Sequence, residues 1–196
     1  MTLQHQKNRR KVIHKGSSFR RFYPVRKGLQ DIIRNINIFR DPRWGRGHET
    51  YGEDPYLTTV LGKAYIRGLQ GQGEYLKTAA CAKHFAVHSG PEALRHSFNV
   101  DISRRDMEDT YLPAFEAAVK EADVESVMGA YNAVNGAPCN GSTELLKQIL
   151  REEWGYDGLV VTDWGNWAEH YREALAGNNV RMPHGSLRRL QKAMEL

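Results

Sequence analysis

From residue 35 onward, short apolar runs alternate with longer stretches whose apolar residues recur at helical spacing, the pattern of repeated β–α units around a parallel sheet. Five runs read as strands: 36–39, 79–82, 126–130, 159–161 and a weaker one at 179–182. Helices are expected over 54–69, 103–122, 142–154 and 166–176, with a last one from 186. Ser103 and Ser142 stand where N-caps belong. Asp106 follows Ser103 at the capping-box position, although Glu or Gln is usual there. Behind Ser142, Leu145, Leu146, Ile149 and Leu150 fall on one helical face.

Each apolar run ends in a charged or aromatic cluster. The run 36–39 leads into RDPRWGR, 79–82 into KHF, 126–130 into Tyr131-Asn132 and 159–161 into Thr162 and then DWG. In a parallel barrel all these strand ends lie on the one face where active sites are built. The glycine-rich dinucleotide fingerprint of an open doubly wound sheet is missing, and GLQGQG (Gly68, Gly71, Gly73) follows a helix, so it reads as a helix-ending loop. The fold class is therefore α/β, a partial (β/α)8 TIM-like barrel with about five β–α units visible. A closed barrel needs about 250 residues, which leaves about three units unaccounted for and edge strands open. A smaller open sheet, complete in itself, is the alternative.

Composition adds limits. The 196 residues, 40% hydrophobic and 26% charged, suit one soluble core, and no run has the roughly 18 uncharged apolar residues of a membrane span. Two cysteines, Cys81 and Cys139, are too few for a disulfide scaffold or a four-cysteine zinc site, and they leave the redox compartment open. The net charge of +5 is unevenly placed: residues 1–34 hold ten Lys and Arg against one acid, Asp31, so this segment carries +9 and the remainder −4. The basic segment 1–34 is set apart from the domain 35–196 and is a candidate for disorder. Its charge could attract RNA or anionic lipid, but it has no aromatic stripe or recognition helix, so no specific nucleic-acid partner is expected. It also lacks the apolar stretch of a secretory signal, and localisation stays open.

The chemistry gathers at the strand ends. Asp163, flanked by Trp164 and Trp167, suits a sugar site, where rings stack on indoles and a carboxylate meets the anomeric carbon; equally, Asp163 could cap the following helix. Lys83 and His84 offer two adjacent groups to hydroxyls. His84 and His88 have the spacing of a metal pair, but no HExxH surrounds them, so no metal is expected. Arg43, Trp44 and Arg46 could clamp an anion or sugar, or pair with Glu49, Glu53 and Asp54. No G-x-S-x-G elbow is present, and Cys81 lies inside a strand run, as an inert packed thiol would. Asn140-Gly141-Ser142 forms a glycosylation sequon.

Five segments carry a resemblance: NINIFRDPRWGRGHETYGEDP (35–55), ACAKHFAVHSGPEALRH (80–96), RRDMEDTYLPAFEAAV (104–119), VMGAYNAVNGAPCNGS (127–142) and GYDGLVVTDWG (155–165). In this order they resemble the family 3 glycoside hydrolases, the β-glucosidase and β-xylosidase group. The resemblance implies a barrel-like first domain and no cofactor. Asp163 would be the catalytic nucleophile, Arg46, Lys83, His84 and Tyr131 would contact the innermost sugar, and Met128 and Trp164 would line its subsite, with Arg95 and His96 in a nearby loop. It further implies retaining hydrolysis of terminal non-reducing β-D-glucosyl residues, with xylan β-1,4-xylosidase activity as one alternative and a non-catalytic carbohydrate-binding remnant as another. An accessory protein whose basic arm binds polyanions is a third reading. Expected ligands are small β-linked glucosides, xylosides or oligosaccharides. The family's acid/base comes from beyond the barrel, so it is expected to be absent from this chain and supplied by a second domain in a full-length form. Residues before Asn35 do not resemble the family, which a truncated or frame-shifted coding region would explain.

Overall fold

The structure, a computed structural model, describes residues 35–194; the basic segment 1–34 lies outside the described residues. Its centre is a three-stranded parallel sheet in the order β1 (Cys81–Phe85), β3 (Ser126–Gly129), β6 (Leu159–Val161). Cys81 pairs with Ser126 and Ser126 with Leu159, so equivalent strand ends lie side by side. A single parallel bridge from Val161 to Val180 extends the sheet by one rung. A smaller sheet, β2 (Asn99–Val100), β4 (Ala133–Val134) and β5 (Ala137–Pro138), joins the loops that follow β1 and β3.

The helices follow the sequence reading with instructive departures. Helix α1 (Pro55–Gln70) starts where Asp54 accepts a hydrogen bond from Leu57 N at 2.6 Å and ends at Gly71, φ +72, within the glycine loop read as a helix end. It buries Thr58, Gly62, Ile66 and Gln70 at four-residue spacing and leaves Tyr56, Leu57, Val60, Leu61 and Tyr65 exposed. The helix expected over 103–122 is broken: α2 (Arg104–Asp106) runs through a π-helical turn, Met107–Tyr111, into α3 (Pro113–Lys120). Pro113 has no N–H and crowds the preceding turn, so the chain widens there, and Leu112 N bonds Met107 O at 2.9 Å. Ser142 caps a second π-helical segment, Thr143–Glu153, by accepting from Leu145 N. Helix α4 (His170–Ala176) starts four residues later than expected, and α5 (Leu187–Met194) closes the described chain.

Three strand expectations are corrected, the first at 179–182, which makes only the single bridge at Val180. Residues 36–39 form no strand, because Asn35 Oδ1 captures the Asn37 N–H at 3.1 Å and only Ile36 N, bonded to Lys83 O at 2.9 Å, behaves as a ladder donor. The run at 79–82 is displaced toward its polar end, so Lys83 and His84 belong to β1 itself. The core lies between the sheet and the helices, where Phe85 meets Phe115 and Trp154 edge-on at 5.2 and 5.7 Å. Asn140 is buried there, donating to Ala130 O at 2.8 Å, so the folded chain does not present the sequon. Gly129 is the residue this arrangement admits, because a Cβ would collide with the Asn140 amide.

Candidate active site

The C-terminal ends of β1, β3 and β6, with the loop ahead of α1, bring Arg46, Lys83, His84, Tyr131 and Asp163 together. Lys83 and Met128 stand opposite each other in the ladder, as do Met128 and Val161, and Asp163 follows Val161 by two residues. His84 is the hub. Its Nε2 lies 3.1 Å from Arg46 Nη1 and 3.2 Å from Asp163 Oδ2. The first contact makes Nε2 an acceptor, because a guanidinium can only donate. The second is close but unaligned, and Asp163 Oδ2 keeps no hydrogen-bond partner. Arg46 is aimed by Glu49, which grips Nε and Nη2 at 2.8 Å each and leaves Nη1 for His84.

Asp163 does not cap a helix. Its Oδ1 accepts from the Trp164 N–H at 2.7 Å, while the backbone turns through Gly165 at φ +70 before α4 begins. The Tyr131 hydroxyl donates to Trp164 O at 2.7 Å, and Trp167 Nε1 donates to Tyr131 O at 2.8 Å, so the loops after β3 and β6 hold each other. The Trp164 and Trp167 side chains stay exposed above this lock.

Burial sets the protonation states. Asp163, 9% exposed, has its carboxyl raised above the ordinary range by burial, against the lowering pull of the Trp164 N–H, Arg46, Tyr131 and Lys83. Burial lowers the Lys83 ammonium, helped by the charge of Arg46. Burial and then the neighbouring His88 push His84 well below the usual imidazole value, so His84 is neutral at pH 7. Tyr131 is raised to about 12 by burial and by the charge of Asp163. The site therefore presents a buried carboxylate among a neutral imidazole, a phenol and two cations.

The remaining expected residues fall around this centre. Arg95 pairs with Glu92 at 2.9 Å and keeps a buried Nε without a partner, and the exposed His96 ring lies tilted 4.3 Å from Tyr131. Arg43 stays apart, paired with Asp41 on the surface, and Trp44 is buried against His88. Cys81 and Cys139 are buried thiols raised to about 11 and about 12, unsuited to nucleophilic work. Among the described residues no group of three His, Cys, Asp or Glu has a metal-binding arrangement. A groove of about 330 Å³ lined by Arg104, Glu108, Leu112 and Trp154 lies on the helical side, away from the strand ends.

The sequence pattern marks His88 only as a possible metal ligand and gives no sign of Asn37 or Asn132. His88 is buried, its ring tilted against that of His84 with centroids 4.6 Å apart, and its Nδ1 lies 3.2 Å from Asn132 Oδ1. Burial lowers it from 6.5 to about 4, with Arg46 and Arg95 adding to the fall and the Asn132 bond opposing it. Because the folded value lies below the unfolded one, the unfolded chain takes up this proton first as pH falls. Stability should therefore decline progressively between about 6.5 and about 4, and His88→Phe should flatten that part of the curve of melting temperature against pH. An unchanged slope in the variant would show that His88 does not titrate in this way.

Residues 35–182 match the Glycosyl hydrolase family 3 N terminal domain. A xylan 1,4-beta-xylosidase of Xylanibacter ruminicola is 59% identical over 149 residues, covering 74% of this chain and 17% of its own length. Beta-glucosidase A of Butyrivibrio fibrisolvens is 40% identical over 160 residues, covering 82% and 19%. Among solved structures, beta-glucosidase 3B from Thermotoga neapolitana superposes with a TM-score of 0.75 at 36% identity over 84% of this chain and 23% of its own. A GH3 exo-beta-xylosidase (XlnD) in complex with a xylobiose aziridine probe gives 0.73 at 36% identity, covering 82% and 24%. The chain spans less than a fifth of the length of these curated relatives. By its sequence over residues 35–182 and by its fold, the chain belongs to glycosyl hydrolase family 3, as part of that family's N-terminal domain.

Proposed function

We propose that this chain carries the nucleophile half of a retaining β-glycosidase site acting on terminal xylosyl or glucosyl residues. The observation that carries the reading is Asp163, a buried carboxylate at the end of β6 whose Oδ2 has no hydrogen-bond donor and lies 3.2 Å from His84. A free oxygen lone pair in a water-poor site is what attack on an anomeric carbon requires. Asp163 forms the glycosyl–oxygen bond as the bond to the leaving oxygen breaks. A second carboxylic acid, assigned to a segment outside residues 35–194, protonates that oxygen and then draws a proton from the water that releases the sugar. Lys83, His84 and Arg46 bind ring hydroxyls, Tyr131 holds the nucleophile loop, and Trp164 and Met128 border the sugar, with Arg95 and His96 closing the rim. The three parallel strands are read as an arc of a (β/α)8 barrel, and 35–196 as part of one domain.

The 59% identity to a relative named as a xylan 1,4-beta-xylosidase favours xylose, and the fit to a solved β-glucosidase keeps glucose in view. The test is hydrolysis of aryl β-xyloside and aryl β-glucoside by the purified chain, with the first-formed sugar followed by NMR. An activated aryl leaving group needs little protonation, so the nucleophile step is visible without the acid. The expected result is cleavage of at least one substrate with the β-anomer formed first. Failure of folded protein to cleave either, or initial release of the α-anomer, would overturn the reading.

A further inference from the structure

The loop that ends β1 is held by something other than strand pairing. The ladder between β1 and β3 slips after Lys83, where Lys83 faces Met128 and Phe85 already faces Gly129. The residues beyond therefore need other hydrogen-bond partners, since buried backbone groups left unpaired are costly. Asn37 supplies them from one side. Its Nδ2 donates to His84 O at 2.8 Å and its Oδ1 accepts from the His88 N–H at 3.1 Å. The second hydrogen of that amide goes to Asn35 Oδ1 at 2.9 Å, so both of its donors are used. From the other side Asn132 donates to Ala86 O at 3.1 Å and meets the His88 ring.

Asn37 touches neither Arg46 nor Asp163, but it clamps both ends of the five-residue turn that carries His84 and the His88 imidazole packed against it. We propose that Asn37 is a positioning residue for His84: by bridging His84 O and His88 N it holds the His84 ring between Arg46 and Asp163. Without the bridge, His84 O and His88 N lose their partners, the two imidazoles separate, and the Nε2 facing Asp163 is no longer fixed. Asn37 is 1% exposed and lies in the segment expected to be a strand, where its side chain takes over the work of a ladder rung. The consequence for turnover rests on the glycosidase reading above; the geometric claim does not.

The test separates the two. In the 15N-labelled chain, Asn37→Ala should shift or broaden the His84 imidazole signals and speed exchange of the His88 amide about 10-fold or more, while the His170 ring, on α4 outside the site, keeps its signals. Asn37→Ser, whose hydroxyl is too short to bridge both groups, gives the same readout if the alanine variant does not fold. For aryl glycoside cleavage, Asn37→Ala should lower kcat/KM about 100-fold, mainly through kcat, in line with the cost of a misplaced catalytic group. In a His84→Ala background the same change should cost less than about 3-fold, because a residue acting through His84 has nothing left to position. His84 signals that stay fixed in both variants, or losses that simply add, would overturn the proposal. Moved His84 signals in a chain without glycosidase activity would uphold Asn37 and overturn the function.

Discussion

Asp163→Ala is expected to lower cleavage of an aryl β-glycoside by about four orders of magnitude, the scale on which loss of a nucleophile is felt when the rest of a site persists. Three features make the loss specific. Oδ2 is the site's unpartnered anionic oxygen, Oδ1 is already engaged by the Trp164 N–H at 2.7 Å, and the surrounding cations Arg46 and Lys83 cannot attack carbon. Azide added to the alanine variant should enter the vacated space, attack the anomeric carbon from the same face and expel the aryl oxygen, giving the α-glycosyl azide. Recovery of the β-azide instead would mean that Asp163 is not the nucleophile. The stability effect should run the other way. Burial raises the Asp163 carboxyl, so the folded chain holds its proton more tightly than the unfolded chain, and at pH 7 the ionised group opposes folding. Asp163→Asn, which keeps an acceptor for Trp164, should therefore melt at an equal or higher temperature than the parent. A lower melting temperature would mean that the carboxylate is held by attractions stronger than its burial cost.

The second large effect is structural. Phe115→Ala should destabilise the fold by about 3–5 kcal/mol, a large part of the roughly 5–15 kcal/mol that holds a domain of this kind together. Phe115 is 1% exposed on α3 and meets Phe85 edge-on at 5.2 Å, and Phe85 meets Trp154 at 5.7 Å. Removing the Phe115 ring leaves a cavity beside Phe85, which is held against Trp154 on its other side and cannot collapse into it. A fall in melting temperature of about 10 °C or more is expected, with Phe115→Leu recovering most of it. Tyr56→Ala, at a 79% exposed position on α1, should change little. A Phe115→Ala protein that melts with the parent would mean that the sheet and α3 are not joined through this cluster.

The sequence made the strand ends legible because polar clusters after apolar runs are hard to explain in any other way. Arg46, Lys83, His84, Tyr131, Asp163 and Trp164 stand out from that pattern, and the resemblance adds Met128, Arg95 and His96. What the pattern could not convey was how the side chains bind to backbone. Residues 36–39 look like a strand because Ile36, Ile38 and Phe39 are apolar, yet two interleaved asparagines redirect the hydrogen bonds. The break at Pro113 was visible in principle, since a proline ten residues into a helical pattern should disturb it. The shift of β1 onto Lys83 and His84 was not, because charged and aromatic residues in a buried strand find their reason only in neighbours distant along the chain. Asn37 and Asn132 are invisible for the same cause: an asparagine in an apolar run carries no mark of which carbonyl it will serve.

That dispersal has a consequence in time. Arg46, His84 and Asp163 come from three separate stretches, the loop ahead of α1, β1 and the end of β6, and the contact between His84 and Asp163 spans 79 residues of chain. During synthesis the Arg46–Glu49 pair and the Asn37 bridge involve nothing beyond residue 88, whereas Asp163 arrives only after β6. In a growing chain those contacts can close before the ones to Asp163, which are far more distant in sequence. Order of emergence, as much as final geometry, sets when the carboxylate of Asp163 can meet the side chains that surround it.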